Sequence, residues 1–413
     1  MVDDISDRIV LQHNPNSTVA SGGTWSILNR KKLVDKLSKS LTSELSSEFE
    51  KHVPAQTWIV YWITHSLALL EQKQFLKTIS DDVIEFIGEC AHKEGGYGGG
   101  PGQIAHLATS FAAINALITL NSETALDSID RVGLVRFLHR MKQEDGSFTL
   151  HDDGEIDSRA TYCALAMLRS LNINDPILLE NVADWVLACQ TYEGGFSSVP
   201  GSEAHGGYTF CCVASLCLLN QLDRANLPAL LRWLTNKQLS DEGGFCGRSN
   251  KLVDSCYSYW QGAVFPLIHS HLEASLSCDK SHRGDDFKTR AQNKKIVNNR
   301  ELSQNWIYDC EALQDYILNQ CQTSSGLLRD KPTAKPDFYH TCYALSGLSL
   351  SQHQPGDNGA GGAILDIGHK QINILAPTHP LFNIALDSLN DCFEYFRDKK
   401  TQIERQDNDV KSI

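Results

Sequence analysis

The chain has 413 residues, 41% hydrophobic and 21% charged, enough to bury a large core. Its formal charge of −13 argues against a general nucleic-acid or anionic-membrane surface, so any anion site must be a local concentration of basic groups. No apolar run reaches the ~18 residues of a membrane-spanning helix, which excludes a membrane span.

Residues 1–45 read as an N-terminal extension. They open with the acidic MVDDISDRIVLQHN, which lacks the apolar stretch of an export signal. The 13 cysteines follow no regular framework and form no CxxC pair, so buried reduced thiols of a cytoplasmic protein are expected.

From about residue 46 the chain repeats. Five segments resemble one another: EGGYGGGPGQIAHLATSFAAINAL, EDGSFTLHDDGEIDSRATYCALAML, EGGFSSVPGSEAHGGYTFCCVASLCLL, EGGFCGRSNKLVDSCYSYWQGAVFPL and SGLLRDKPTAKPDFYHTCYALSGLSL. Taking Gly96, Gly146, Gly195, Gly244 and Gly326 as markers, the intervals are 50, 49, 49 and 82. The long interval holds an extra polar, charged stretch at about 277–302, read as an exposed loop.

Each unit carries two helical stretches. LVRFLHRMKQ, ENVADWVLACQ, LPALLRWLTNKQL and CEALQDYILNQCQ precede the glycines and have one apolar face. The stretches after the glycine loops, such as YTFCCVASLCLL, are apolar almost all round. The first kind reads as outer helices and the second as inner ones. About six such pairs make an open solenoid or a closed double ring, the latter spanning 46–398, with a charged tail at 399–413. In a closed ring the inner helices run the same way, and their N-termini converge at one mouth, which suits an anion.

Ten or eleven residues past each marker stand His106, Asp157, His205, Asp254 and Asp337. Helix capping explains each singly; together they ring one mouth. A second ring, Tyr162, Cys211, Trp260 and Tyr343, follows at +15 to +17, with Trp62 placed alike one repeat upstream and Trp58 one turn earlier. These side chains are either core or the lining of a cavity for a long apolar ligand. Asp254, Cys256 and His340 are competent zinc ligands that would leave one position open, although 13 cysteines and 15 histidines make a chance trio easy. Arg159, His205, Arg248 and Lys251 gather at the same mouth, either as surface ion pairs or as a diphosphate site.

EGGYGGGPGQIAHLA, EAHGGYTFCC, GRSNKLVDSCYSYWQ and DKPTAKPDFYHTCYALSGLS closely resemble the β subunits of protein prenyltransferases, most closely the farnesyl-transferring kind, over roughly residues 45–395. The resemblance implies an all-α fold, an α/α toroid (α6/α6 barrel). It implies zinc on Asp254, Cys256 and His340. It puts the isoprenoid diphosphate on His205, Arg248, Lys251 and Tyr257, with Arg159, Tyr162, Tyr208 and Trp260 completing the farnesyl diphosphate contacts. Peptide and isoprenoid would lie over Trp58, Trp62, Tyr162, Trp260 and Tyr339. Asp330 matches the carboxylate used for a diphosphate-bound magnesium. Trp58 and Tyr343 match the bulky residues of a cavity cut short for fifteen carbons.

The catalytic set it implies is Asp254, Cys256, His340, Tyr257 and Lys251. The reaction would be alkyl transfer from farnesyl diphosphate to the cysteine of a C-terminal CaaX sequence. The partner would be an α subunit in a heterodimer. Pro336 departs from the family pattern beside Asp330, and the insertion matches no family feature. A triterpene-cyclase reading lacks its DxDD motif here. A geranylgeranyl-transferring β subunit and a non-catalytic helical scaffold stand as the alternatives.

Overall fold

The structure, a computed structural model, describes residues 27–42, 54–281, 307–353, 365, 367 and 371–399. The N-terminal extension before residue 27, most of the charged insertion and the tail beyond 399 lie outside the described residues. Among the described residues the fold is helical, with isolated bridges only, and no helix is long and apolar enough to cross a membrane.

The inner helices are α2 (Gln56–Leu69), α4 (Leu107–Thr119), α6 (Ser158–Ser170), α8 (Gly206–Leu218), the pair α10 (Tyr257–Trp260) and α11 (Val264–Ser281), and α13 (Phe338–Gln352). Each packs against the next, and α13 returns to α2, so the ring closes. Outside them lie α1 (Arg30–Thr42), α3 (Ser80–Glu89), α5 (Arg131–Met141), α7 (Val182–Ala188), α9 (Leu227–Thr235) and α12 (Cys310–Asp315), the last continuing through a wider π-type turn to Cys321. The apolar pattern decides which is which. In α5, Leu134, Phe137, Leu138 and Met141 are buried while Arg136 and Arg140 are exposed; in α4 every residue but Ala108 is buried.

The glycine turns join outer to inner helices and also hold the repeats together. The structurally equivalent glycines are Gly95, Gly146, Gly194, Gly243 and Gly326, so three of the five sequence markers were one residue late. With this register each ring residue at the mouth follows its glycine by eleven positions. At Gly326 the backbone has φ +94°, and a Cβ there would meet Leu33 N and the Lys32 carbonyl carbon at 2.8 Å. The last turn therefore lies flat on the first outer helix, and the outer ring closes too.

Four of the five mouth residues are N-caps: His106 on α4, Asp157 on α6, His205 on α8 and Asp337 on α13. Asp254 instead accepts the Cys256 amide at 2.9 Å, one turn ahead of α10.

The opposite end is closed by a segment the sequence reading did not single out. α14 (Leu386–Phe396) packs on α4 and α6, and the residues before it enter the barrel. Pro380, Leu381, Phe382 and Asn383 accept hydrogen bonds through their backbone oxygens. The donors are Tyr259 Oη (2.9 Å), Tyr162 Oη (2.7 Å), Asn115 Nδ2 (3.2 Å) and Tyr61 Oη (2.7 Å). Thr378 and Ala385 bridge as the glycine turns do, and Asn383, at φ +53°, occupies the left-handed place that glycine fills elsewhere. This is a sixth turn without its glycine.

Two histidines hold this plug. His65 Nε2 lies 3.1 Å from Asn383 Oδ1, and His379 Nδ1 accepts the Leu381 amide. Burial lowers both, to about 3 for His65 and about 4 for His379, against an ordinary 6.5. The folded values lie below the unfolded one, so below pH 6.5 the unfolded chain binds more protons than the folded one. Stability is then fully present above pH 6.5 and falls below it by about 1.4 kcal/mol per group per pH unit. The thermal midpoint is expected to drop steeply between pH 6.5 and 4.5, with a shallower slope in His379→Gln. Equal slopes in the two proteins would contradict this account.

Candidate functional site

The site is built where α8, α10 and α13 begin. The turn leading into α10 and the first turn of α13 bring Asp254, Cys256 and His340 together, with one ligand atom from each within 4.8 Å of the others. That is near the roughly 3.3–3.8 Å between ligands of a tetrahedral zinc ion. His340 Nδ1 is 2.7 Å from Asp337 Oδ2, the carboxylate that also caps α13, while Nε2 faces Asp254 Oδ1 at 3.4 Å. Asp337 thus fixes the ring so that Nε2 is presented to the cluster.

Burial alone would lower His340, but the Asp254 and Asp337 carboxylates raise it to about 9. Asp254 shows the converse. Burial raises it, yet the bonds from His340 and from the Cys256 amide leave it below the usual carboxylate value. Burial, then the neighbouring Asp254, lift the Cys256 thiol well above its ordinary value. A divalent cation bound among these three groups would take the place of the thiol and imidazolium protons. The donor set of oxygen, sulfur and nitrogen fits zinc, with a fourth position left open.

Beside this cluster lies a set of cationic, imidazole and hydroxyl groups with the chemistry to bind an anion. His205 Nδ1 accepts the Gly207 amide at 3.1 Å, so the neutral ring carries its proton on Nε2, which lies 3.0 Å from Tyr257 Oη. The tyrosine hydroxyl therefore keeps its own proton for a ligand. Arg248, on the hairpin bridged at Cys246 and Val253, pairs with Glu203 from the preceding repeat, and Lys251 on the same hairpin is exposed. Gly247 lies flush on the Tyr257 ring, where a Cβ would clash with it. Arg159 is held by Asp157 and sits 5.8 Å above the Tyr208 ring.

Asp330 also reaches this neighbourhood. Its backbone oxygen accepts the Ser255 amide and the Tyr316 hydroxyl, both at 2.8 Å. Its carboxylate is gripped by Lys331 Nζ at 2.5 and 2.6 Å.

Below the cluster runs an aromatic shaft. Trp58, Trp62, Trp260 and Tyr339 are half-buried and line its upper part, with Trp260 Nε1 donating to Tyr339 Oη at 3.0 Å. Beneath them is a deck of buried rings, one from each inner helix: Tyr61, Phe111, Tyr162, Phe210, Tyr259 and Tyr343. In two units the deck residue is Phe210 or Tyr259, one position before the expected Cys211 and Trp260. Trp260 instead stacks 4.4 Å from Tyr343, just above. Tyr162 turns its hydroxyl down to the plug, not up to the shaft.

The family model described as the prenyltransferase alpha-alpha toroid domain matches residues 28–384. The protein farnesyltransferase subunit beta of Pisum sativum is 42% identical over 375 residues, 82% of this chain and 88% of that one. The chain belongs to the protein farnesyltransferase β-subunit family. The Arabidopsis thaliana member of this family is 40% identical over 407 residues, 89% of this chain and 83% of its own length. A solved structure of Candida albicans protein geranylgeranyltransferase-I complexed with GGPP superposes with a TM-score of 0.67. At 23% identity, over 90% of this chain and 99% of that one, it shows the family's toroid fold.

Proposed function

We propose that this chain is the β subunit of a protein farnesyltransferase. Paired with an α subunit in the cytoplasm, it transfers farnesyl from farnesyl diphosphate to the cysteine thiol of C-terminal CaaX sequences. The barrel of 46–398 is the catalytic unit. The observation that supports this reading is the meeting, at one mouth, of three side chains able to ligate a metal, a group of cationic and hydroxyl side chains, and the top of an aromatic shaft.

Asp254, Cys256 and His340 hold zinc. When bound there, zinc lowers the pKa of a thiol that joins it and so supplies a nucleophilic sulfur at neutral pH. The isoprenoid lies in the shaft over Trp58, Trp62, Trp260, Tyr339 and Tyr343. Its diphosphate meets the Tyr257 hydroxyl, His205, Arg248 and Lys251, with Arg159 and Tyr208 at the rim. The carbon–sulfur bond forms as the carbon–oxygen bond to diphosphate breaks. Negative charge then grows on the leaving group, where Tyr257, Lys251 and Arg248 stabilise it more than in the ground state. Asp330, whose carboxylate pairs with Lys331, would be the residue to hold a magnesium ion on that diphosphate.

The test is transfer by the heterodimer to a CaaX peptide ending in Ser or Met, using labelled farnesyl or geranylgeranyl diphosphate with and without magnesium. Farnesyl transfer is expected to dominate and to rise with magnesium. Geranylgeranyl preference would move the chain to the neighbouring class. Absence of transfer together with absence of zinc would leave a helical scaffold.

A further inference from the structure

The five glycine turns share one backbone bond. The amide three residues past the glycine donates to the carbonyl of a buried residue closing the outer helix: Cys90, Met141, Cys189, Lys237 and Cys321 in turn. Four units place a sulfur-bearing apolar side chain in this slot. The fourth places Lys237, only 5% exposed. That unit is the one whose turn runs on into the hairpin 246–253, which bears Arg248 and Lys251.

Lys237 Nζ donates to Ser249 Oγ at 3.0 Å and lies 4.8 Å from the Trp233 ring centre. Among the described residues no carboxylate forms an ion pair with it. A buried ammonium with neutral partners costs stability that an apolar residue in the same slot would not. Its charge is felt within the hairpin: burial raises the Cys246 thiol, and Lys237 acts against that rise.

The base of the hairpin is fixed by the Cys246–Val253 bridge and by Gly247, whose oxygen accepts the Gly206 amide at 2.7 Å. Its tip is held by two side chains, Arg248 on Glu203 and Ser249 on Lys237, with Asn250 in the left-handed region at φ +60°.

We propose that Lys237 is a positioning residue for the diphosphate loop. It pins Ser249 so that Arg248 and Lys251 stand ordered beside His205 and Tyr257, and it sets a fixed positive charge under the bound anion. This rests on the diphosphate reading above. Holding the tip in place before the ligand arrives removes an ordering cost from binding.

Lys237→Met keeps the buried stem against Trp233 and removes both the charge and the bond to Ser249. In the heterodimer it is expected to raise KM for farnesyl diphosphate, and the inhibition constant of inorganic pyrophosphate, roughly tenfold. KM for the CaaX peptide and the zinc content should not move, and Lys237→Arg should restore most of the loss. Ser249→Ala leaves the lysine in place and should shift the same constants in the same direction by about threefold. It decides the matter if Lys237→Met does not fold. Unchanged diphosphate constants in the folded variants overturn the proposal. So does an equal rise in both substrates' KM, which marks general loosening. A wild-type heterodimer that binds neither farnesyl diphosphate nor pyrophosphate overturns the underlying reading instead, and this one with it.

Discussion

Cys256→Ala is expected to abolish bound zinc and to lower farnesyl transfer by about three orders of magnitude or more. The reason lies in the donor count. The cluster offers one sulfur, one carboxylate and one imidazole, already the minimum for a catalytic zinc, and two ligands from a chain rarely retain the ion. Cys256 is buried and its backbone starts α10, so alanine keeps the helix and changes little besides the sulfur. His340 would remain between Asp254 and Asp337, still paired, and the fold should survive. Metal content, transfer rate and thermal midpoint should therefore separate. The first two collapse in the variant while the third moves by a few degrees at most. Full zinc content in Cys256→Ala would refute the assignment, whatever happened to the rate.

Much of this site was legible before the fold was known, because a repeat turns sequence position into spatial position. A residue a fixed distance past each glycine must come to the same rim. The five glycines thus placed His205, Asp254 and Asp337 at one mouth and His340 three residues inside. The aromatic deck was legible only approximately. The markers mixed two adjacent glycines of EGG, and a one-residue error on a helix swings a side chain by about 100°. Cys211 and Trp260 were named where Phe210 and Tyr259 form the deck.

The plug was missed for a different reason. Its turn has Asn383 where the others have glycine, and its neighbours in space lie some 120 to 320 residues away in sequence, as the bonds from Tyr61 and Tyr259 show. Nothing in THPLFNIAL announces that its carbonyls face four inner helices. Lys237 was also unremarkable in LTNKQL, where a lysine after a helix reads as ordinary surface. Only its equivalence to Cys90, Met141, Cys189 and Cys321 makes it unusual.

The deck and plug lead to the second large effect. Trp58→Ala is expected to cut the preference for farnesyl over geranylgeranyl diphosphate by roughly a hundredfold, read as the ratio of the two kcat/KM values. The Trp58 ring is centred 5.6 Å from Trp62 and 6.0 Å from Phe111, bridging the upper shaft to the deck. A twenty-carbon chain carries one more five-carbon unit, and on the proposed reading the Trp58 indole, standing on the deck rings, is what would exclude it. Removing the indole opens apolar volume at the right depth, and burying the extra unit there restores its transfer free energy.

A control distinguishes the indole from the plug. Tyr61→Phe keeps its deck ring and deletes only the hydrogen bond to Asn383, at a stability cost of about 1–2 kcal/mol. If the indole limits chain length, Tyr61→Phe leaves the kcat/KM ratio where it was while lowering the thermal midpoint. If the ratio falls as far as in Trp58→Ala, the limit is instead the latched plug, and the deck rings merely rest on it. The hydroxyls of Tyr61, Tyr162 and Tyr259 all point away from the shaft. A ligand in the shaft therefore meets their rings alone, and this favours the first outcome.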